Sequence, residues 1–101
     1  MSIAPANEKQ FMQAVMDAAR LTGWMAFHPF DSRRSEPGFP DLTLVHPERG
    51  LIFAELKTAR GRASPAQQRW IAALRDAGAR VYLWRPDDWD DIAAILNGAQ
   101  P

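Results

Sequence analysis

A chain of 101 residues with 47% hydrophobic content has enough apolar material for one core and too little length for two, so a single domain over residues 1–101 is expected. Its 12 basic and 12 acidic residues cancel to zero net charge, which removes a global basic field as an argument for nucleic acid. Cysteine is absent, which excludes disulfides and thiolate metal sites and leaves a structural zinc only His28 and His46 to draw on.

Asn7 is placed to cap a first helix with Gln10 at its third position, and Phe11, Met12, Val15, Met16 and Ala19 recur at helical spacing until Gly23. Glu8 falls one and two turns before Met12 and Val15, so it is expected at the end of the buried stripe, aimed near the core. Met1 to Lys9 has neither a basic nor an apolar leader segment, and no apolar run approaches the roughly 20 residues of a membrane span. A cytoplasmic protein without membrane association is expected. Trp24 to His28 reads as a first strand, with His28 a polar residue at the sheet rim rather than a base. Pro29 to Phe39 reads as a loop, broken by Pro29, Pro37 and Gly38 and carrying the adjacent Arg33 and Arg34.

Leu42–Val45 and Leu51–Ala54 are short apolar runs separated by His46-Pro47-Glu48-Arg49-Gly50, the pattern of a hairpin. Thr58 to Ala63 is a small basic connector with Arg60, Gly61 and Arg62. Ser64-Pro65-Ala66-Gln67 opens a second helix, with Ser at the cap, Pro at the first position and Gln at the third. Trp70, Ile71, Leu74 and Ala77 form its expected apolar face, which assigns Trp70 to the core rather than to base stacking, and Gly78 ends it. Val81–Trp84 is a fourth strand. Pro86 precedes a last short helix with Trp89, Ile92, Ala93, Ile95 and Leu96 inward. The order α-β-β-β-α-β-α predicts an α/β fold with a mixed central sheet flanked by helices and a short C-terminal helix.

Charge is uneven along the chain. Residues 33 to 85 hold Arg33, Arg34, Arg49, Lys57, Arg60, Arg62, Arg69, Arg75, Arg80 and Arg85 against Glu36, Asp41, Glu48, Glu55 and Asp76. The compensating acids, Asp87, Asp88, Asp90 and Asp91, fall where a helix N-terminus favours negative charge.

The chemistry-bearing segment is Gly38-Phe39-Pro40-Asp41 followed across the hairpin by Glu55-Leu56-Lys57. Strand alternation puts Glu55 on one face with Phe53, and antiparallel pairing returns it beside Asp41. Two carboxylates, a backbone carbonyl and an amine suit phosphodiester hydrolysis, in which a divalent cation neutralises phosphate charge and an ammonium orients water. In that arrangement Asp41 and Glu55 are ligands, the Leu56 carbonyl is a further oxygen, and Lys57 is the amine. The plain alternative is that Glu55 and Lys57 are solvent-facing charges on a half-exposed sheet.

Glu8 in the first helix, Gly38-x-Pro40-Asp41, Glu55-x-Lys57 and Ser64-Pro65-x-Gln67-x-x-Trp70 together resemble the VRR-NUC branch of the PD-(D/E)xK nuclease superfamily, with the resemblance running from Glu8 to about Pro86. It implies a restriction-endonuclease-like core and a DNA endonuclease that uses Mg²⁺ or Mn²⁺, held by Asp41, Glu55 and the Leu56 carbonyl. It also implies that Glu8 reaches the metal directly or through water. Gln67 is expected to close the capping box on Ser64, to position substrate or Lys57, or both. Small stand-alone members resemble virus-type or prophage enzymes related to Holliday junction resolvases, which implies a homodimer acting on branched DNA, without an organic cofactor. Arg33 and Arg34, then Arg60 and Arg62, are the expected DNA-backbone contacts. A nicking or flap nuclease, a non-cleaving nucleic-acid binding module and an interaction domain without nucleic acid are the rival readings.

Overall fold

The computed structural model describes residues 7–29 and 36–99. The expected order is present: α1 (Glu8–Leu21), β1 (Met25–Phe27), β2 (Leu42–His46), β3 (Gly50–Leu56), α2 (Pro65–Asp76), β4 (Arg80–Trp84), a 3₁₀ turn (Pro86–Asp88) and α3 (Trp89–Leu96). The first strand is shorter than its expected span of Trp24 to His28. Trp24 is diverted into the core, where its indole N–H donates to the Leu96 carbonyl at 2.9 Å, and His28 lies beyond the ladder.

The four strands lie in the order β1-β2-β3-β4. The first three form an antiparallel meander, with Met25 opposite Val45 and Leu42 opposite Ala54. The fourth runs parallel to β3, with Ile52 beside Arg80 and Leu56 beside Trp84, and α2 provides the crossover that a parallel pair needs. The hairpin turn closes on His46, whose Nδ1 accepts the backbone N–H groups of Glu48 and Arg49 at 3.0 and 3.1 Å.

Period-2 alternation divides the sheet into two faces. Leu42, Leu44, Ile52, Ala54, Leu56 and Trp84 join Phe11, Val15, Met16 and Ala19 of α1 and Ile92, Ile95 and Leu96 of α3 in one buried cluster. Thr43, Val45, Leu51, Phe53 and Glu55 share the opposite face. There α2 packs against β4, while Met25, Phe27, Val45 and Leu51 toward the β1–β2 end are exposed among the described residues.

Helix boundaries follow from capping chemistry. Asn7 Oδ1 accepts the Gln10 N–H at 2.8 Å to start α1. At Ser64 the capping box is complete, with the Gln67 N–H bound to Ser64 Oγ at 3.1 Å and the Ser64 N–H bound to Gln67 Oε1 at 2.8 Å. The apolar face expected for α2 is narrower than its spacing suggests. Ile71 alone is buried, Ala77 is exposed, and Trp70 is half-buried. Among the described residues no helix is long and apolar enough to cross a membrane.

Candidate active site

The N-terminus of α1, the end of β1, the start of β2, the end of β3 and the N-terminus of α2 meet at one edge of the sheet. They enclose a cleft of about 380 Å³ whose walls include Glu8, His28, Asp41, Glu55, Lys57 and Gln67. The five charged or amide side chains singled out in the sequence therefore converge on one cavity.

The hairpin register accounts for the two carboxylates. Leu42 opposes Ala54, so the next residues outward, Asp41 and Glu55, face each other across the strand pair. Asp41 Oδ2 accepts the Leu56 backbone N–H at 2.9 Å, which locks the start of β2 to the end of β3. Leu56 offers the site only its backbone, since its side chain is fully buried in the core on the other face.

Glu55 is 1% exposed, the only charged side chain among the described residues that is buried. The reading of Glu55 as a solvent-facing charge is thereby excluded. Its Oε2 accepts a 2.6 Å hydrogen bond from Gln67 Nε2 and lies 3.4 Å from Lys57 Nζ. Its Oε1 is buried without any hydrogen-bond partner, the only such side-chain atom in the described residues. Burial, then the neighbouring Asp41 charge, push the Glu55 carboxyl up from 4.5 to about 8, and Lys57 only partly opposes them.

Gln67 closes the expected capping box through its Oε1, while its Nε2 holds Glu55 rather than the Lys57 or substrate expected as its second partner. One side chain thus ties the α2 N-terminus to the carboxylate. Glu8 departs from expectation. It lines the cleft but is exposed, because the buried stripe of α1 begins only at Phe11, one turn further on. His28 is an exposed residue on the cleft wall, its Nδ1 3.1 Å from the Pro29 carbonyl.

Trp70 corrects a second expectation. Instead of entering the core it braces the turn before Asp41. Its indole N–H donates to the Pro37 carbonyl at 3.1 Å, and Phe39 meets it edge-on at 5.1 Å while also meeting Phe53 at 5.8 Å. The apolar stripe of α2 gave no sign of this, because the partner is a loop. The Gly-aromatic-Pro run before Asp41 was the available signal. Glu36, a further wall residue, carried no pattern that would have marked it.

Arg60 and Arg62 are exposed on the connector and do not line the cleft. Arg33 and Arg34 lie outside the described residues. Among the described residues no three His, Asp or Glu side chains cluster closely enough to hold a metal by themselves. The site offers two close carboxylates, Asp41 and Glu55, with the imidazole of His28 on the cleft wall. The carboxylate pair suits a hard cation such as Mg²⁺ or Mn²⁺, which keeps several waters, and the unpartnered Glu55 Oε1 is an oxygen such an ion would satisfy.

The model of the VRR-NUC domain family matches residues 5–87. A Caenorhabditis elegans protein, "Fanconi-associated nuclease 1 homolog", is 40% identical over 52 residues, which is 50% of this chain and 6% of that protein. The chain therefore spans a small fraction of that relative. A solved structure described as "VRR_NUC domain" superposes with a TM-score of 0.72 at 22% identity, over 86% of this chain and 94% of the other. Another, "VRR_NUC domain protein", gives 0.68 at 17% identity, over 89% and 84%. At those identities the two structures speak for the fold.

Proposed function

The chain belongs to the VRR-NUC domain family, and from that membership we propose that it is a divalent-metal-dependent endonuclease that hydrolyses phosphodiester bonds in DNA. The observation that carries the reading is Glu55, a buried carboxylate with one unpartnered oxygen, set beside Asp41 and Lys57 in an open cleft. A cavity that only bound DNA has no use for paired carboxylates, which repel phosphate unless a cation neutralises them.

In this reading Asp41, Glu55 and the Leu56 carbonyl would hold Mg²⁺ or Mn²⁺, with Glu8 contributing directly or through water. Such an ion, when bound, would supply neutralisation of phosphate charge and make water a better nucleophile. Lys57, 3.4 Å from Glu55 Oε2, orients the attacking water and offsets developing charge. Gln67 fixes the Glu55 carboxylate in one rotamer from the helix side. Arg33, Arg34, Arg60 and Arg62 contact the DNA backbone.

Labelled four-way junction, flap, splayed and linear duplex DNA, incubated with Mg²⁺ or Mn²⁺ and then with chelator, tests this directly. Cleavage requires metal and falls to background in Asp41→Ala and Lys57→Ala. Cutting that survives either substitution removes the site, and binding without cutting in every metal favours a non-cleaving module instead.

Branched DNA is the proposed substrate and a homodimer the proposed assembly, since symmetric junction cutting needs two active sites. An apolar row on the sheet supports self-association: Met25, Phe27, Val45 and Leu51 are 73, 63, 42 and 45% exposed and share one face by register. Phe27→Glu is expected to weaken the dimer by about 30- to 100-fold, the worth of burying one aromatic side chain. Sedimentation velocity reads this. A wild-type protein that sediments as a monomer at micromolar concentration removes the dimer.

A further inference from the structure

Lys57 sits just past the end of β3, where its backbone N–H donates to the Trp84 carbonyl at 3.0 Å. It is the last point at which β4 holds this strand. The chain then turns at once: the Gly61 N–H reaches the Thr58 carbonyl at 3.3 Å and Thr58 Oγ1 at 3.1 Å. That turn folds back over the lysine stem. A Cβ on Gly61 would lie 3.5 Å from Lys57 Cδ, so the turn forms a wall beside the methylene chain that carries Nζ to Glu55.

One side chain closes this turn from outside. Arg85, immediately after β4, donates through Nη1 to the Thr58 carbonyl at 2.7 Å and to the Gly61 carbonyl at 2.5 Å. Both ends of the turn are thus bound by a single guanidinium nitrogen. Arg85 is itself fixed, because its backbone N–H donates to Asp88 Oδ2 at 2.8 Å and its neighbour Trp84 is buried. A planar, permanently charged group suits two converging carbonyls better than a flexible ammonium does.

We propose that Arg85 is a positioning residue for the cleavage reaction: by clamping the Thr58–Gly61 turn it holds the Lys57 ammonium beside Glu55. The inference rests on the nuclease reading of the cleft and deepens it. Arg85 does not line the cleft, so its effect reaches the reaction only through the turn. Arg60 and Arg62 ride on the same segment, but they point the test in another direction, since their loss is felt in substrate binding.

The consequence is a separation of kcat from KM. Arg85→Ala is expected to lower kcat by about 10- to 100-fold, the range for misplacing a catalytic group by about an ångström, with KM changed by less than about threefold. Arg85→Lys recovers part of the loss. In a Lys57→Ala background Arg85→Ala costs nothing further, because the residue it positions is gone.

A second readout needs no metal and no substrate. The chain contains two lysines, Lys9 and Lys57; Lys9 is exposed and Lys57 is 15% exposed. Acylation with acetic anhydride, followed by peptide mass spectrometry, therefore carries its own internal reference. The ratio of Lys57 to Lys9 modification is expected to rise several-fold in Arg85→Ala, and less in Arg85→Lys. If Arg85→Ala fails to fold by circular dichroism, the same ratio and kcat are read on Arg85→Lys.

An unchanged labelling ratio, a loss confined to KM, or an additive loss in the Lys57→Ala background overturns the proposal. Failure of the nuclease reading looks different: Lys57→Ala then leaves cleavage intact, or no variant cleaves at all, while the labelling ratio still reports whether Arg85 holds the lysine.

Discussion

Glu55→Gln is expected to abolish cleavage, by about a thousandfold or more, and at the same time to stabilise the metal-free protein at and above pH 8. The first effect follows from removing a proposed charged ligand, since a bound ion would contribute several kcal/mol to the transition state, each 1.36 kcal/mol being about tenfold in rate. The second follows from burial. Glu55 is 1% exposed and has an oxygen without a partner, so its ionised form is held at a cost that a neutral amide of the same shape avoids.

The pH dependence has a definite sign. The folded-state value of about 8 lies above the ordinary 4.5, so between those values the native protein keeps a proton that the unfolded chain has released. Stability from this group is fully present below pH 4.5, declines as pH rises through that window, and levels off above about 8. In Glu55→Gln this component of the slope disappears. A divalent metal in the proposed site would compete for the same oxygens, so Mg²⁺ or Mn²⁺ affinity is expected to rise by up to about tenfold per pH unit until the carboxyl is ionised, with a proton released on binding. Calorimetry in two buffers of different ionisation enthalpy counts that proton, and thermal melts from pH 5 to 9 trace the stability. Metal affinity that is flat from pH 6 to 8 would show that Glu55 is not where the ion binds.

How much of this was legible in the chain depends on the range of the interaction. The capping box at Ser64 and Gln67, the α1 stripe and the hairpin register rest on residues three to fifteen apart, and each is present as its spacing implied. Alternation correctly put Glu55 on the Phe53 face. It could not say that α2 would cover that face and bury the carboxylate, because cover is supplied by an element ten residues further on. Trp70 and Arg85 escaped for the same reason. One is bonded to Pro37, 33 residues away, and the other to Thr58 and Gly61, 27 and 24 residues away, and no periodicity records such partners. Glu8 was misplaced by a local rule, since the first turn of a helix projects beyond the layer its later turns bury.

Gly38→Ala is expected to damage the site more than any other single-methyl change, although Gly38 bears no chemistry. Two costs combine there. The residue sits at φ +92, where a side chain costs about 1 kcal/mol. A Cβ would also fall 2.5 Å from the carbonyl carbon and oxygen of Ala66 and 2.8 Å from the Gln67 nitrogen, all backbone atoms at the first turn of α2 that have no rotamer to yield. Relieving the clash adds about 1–3 kcal/mol, so a total loss of about 2–4 kcal/mol and a fall in Tm of roughly 10 °C or more are expected for a domain of this size. The displacement acts on two braces at once. Moving the turn from α2 loosens Phe39 from Phe53 and Trp70 and shifts Asp41 relative to Gln67, the residue that holds Glu55. Cleavage by the folded fraction therefore falls by about 100-fold, the scale of an ångström-level misplacement. Gly78→Ala isolates the second cost: Gly78 has φ +93 but nothing within 4 Å of its would-be Cβ, so it carries the conformational penalty alone and keeps its activity. Equal melting temperatures and equal cleavage rates for the two variants would mean that the close approach of Gly38 to α2 plays no part in assembling the cleft.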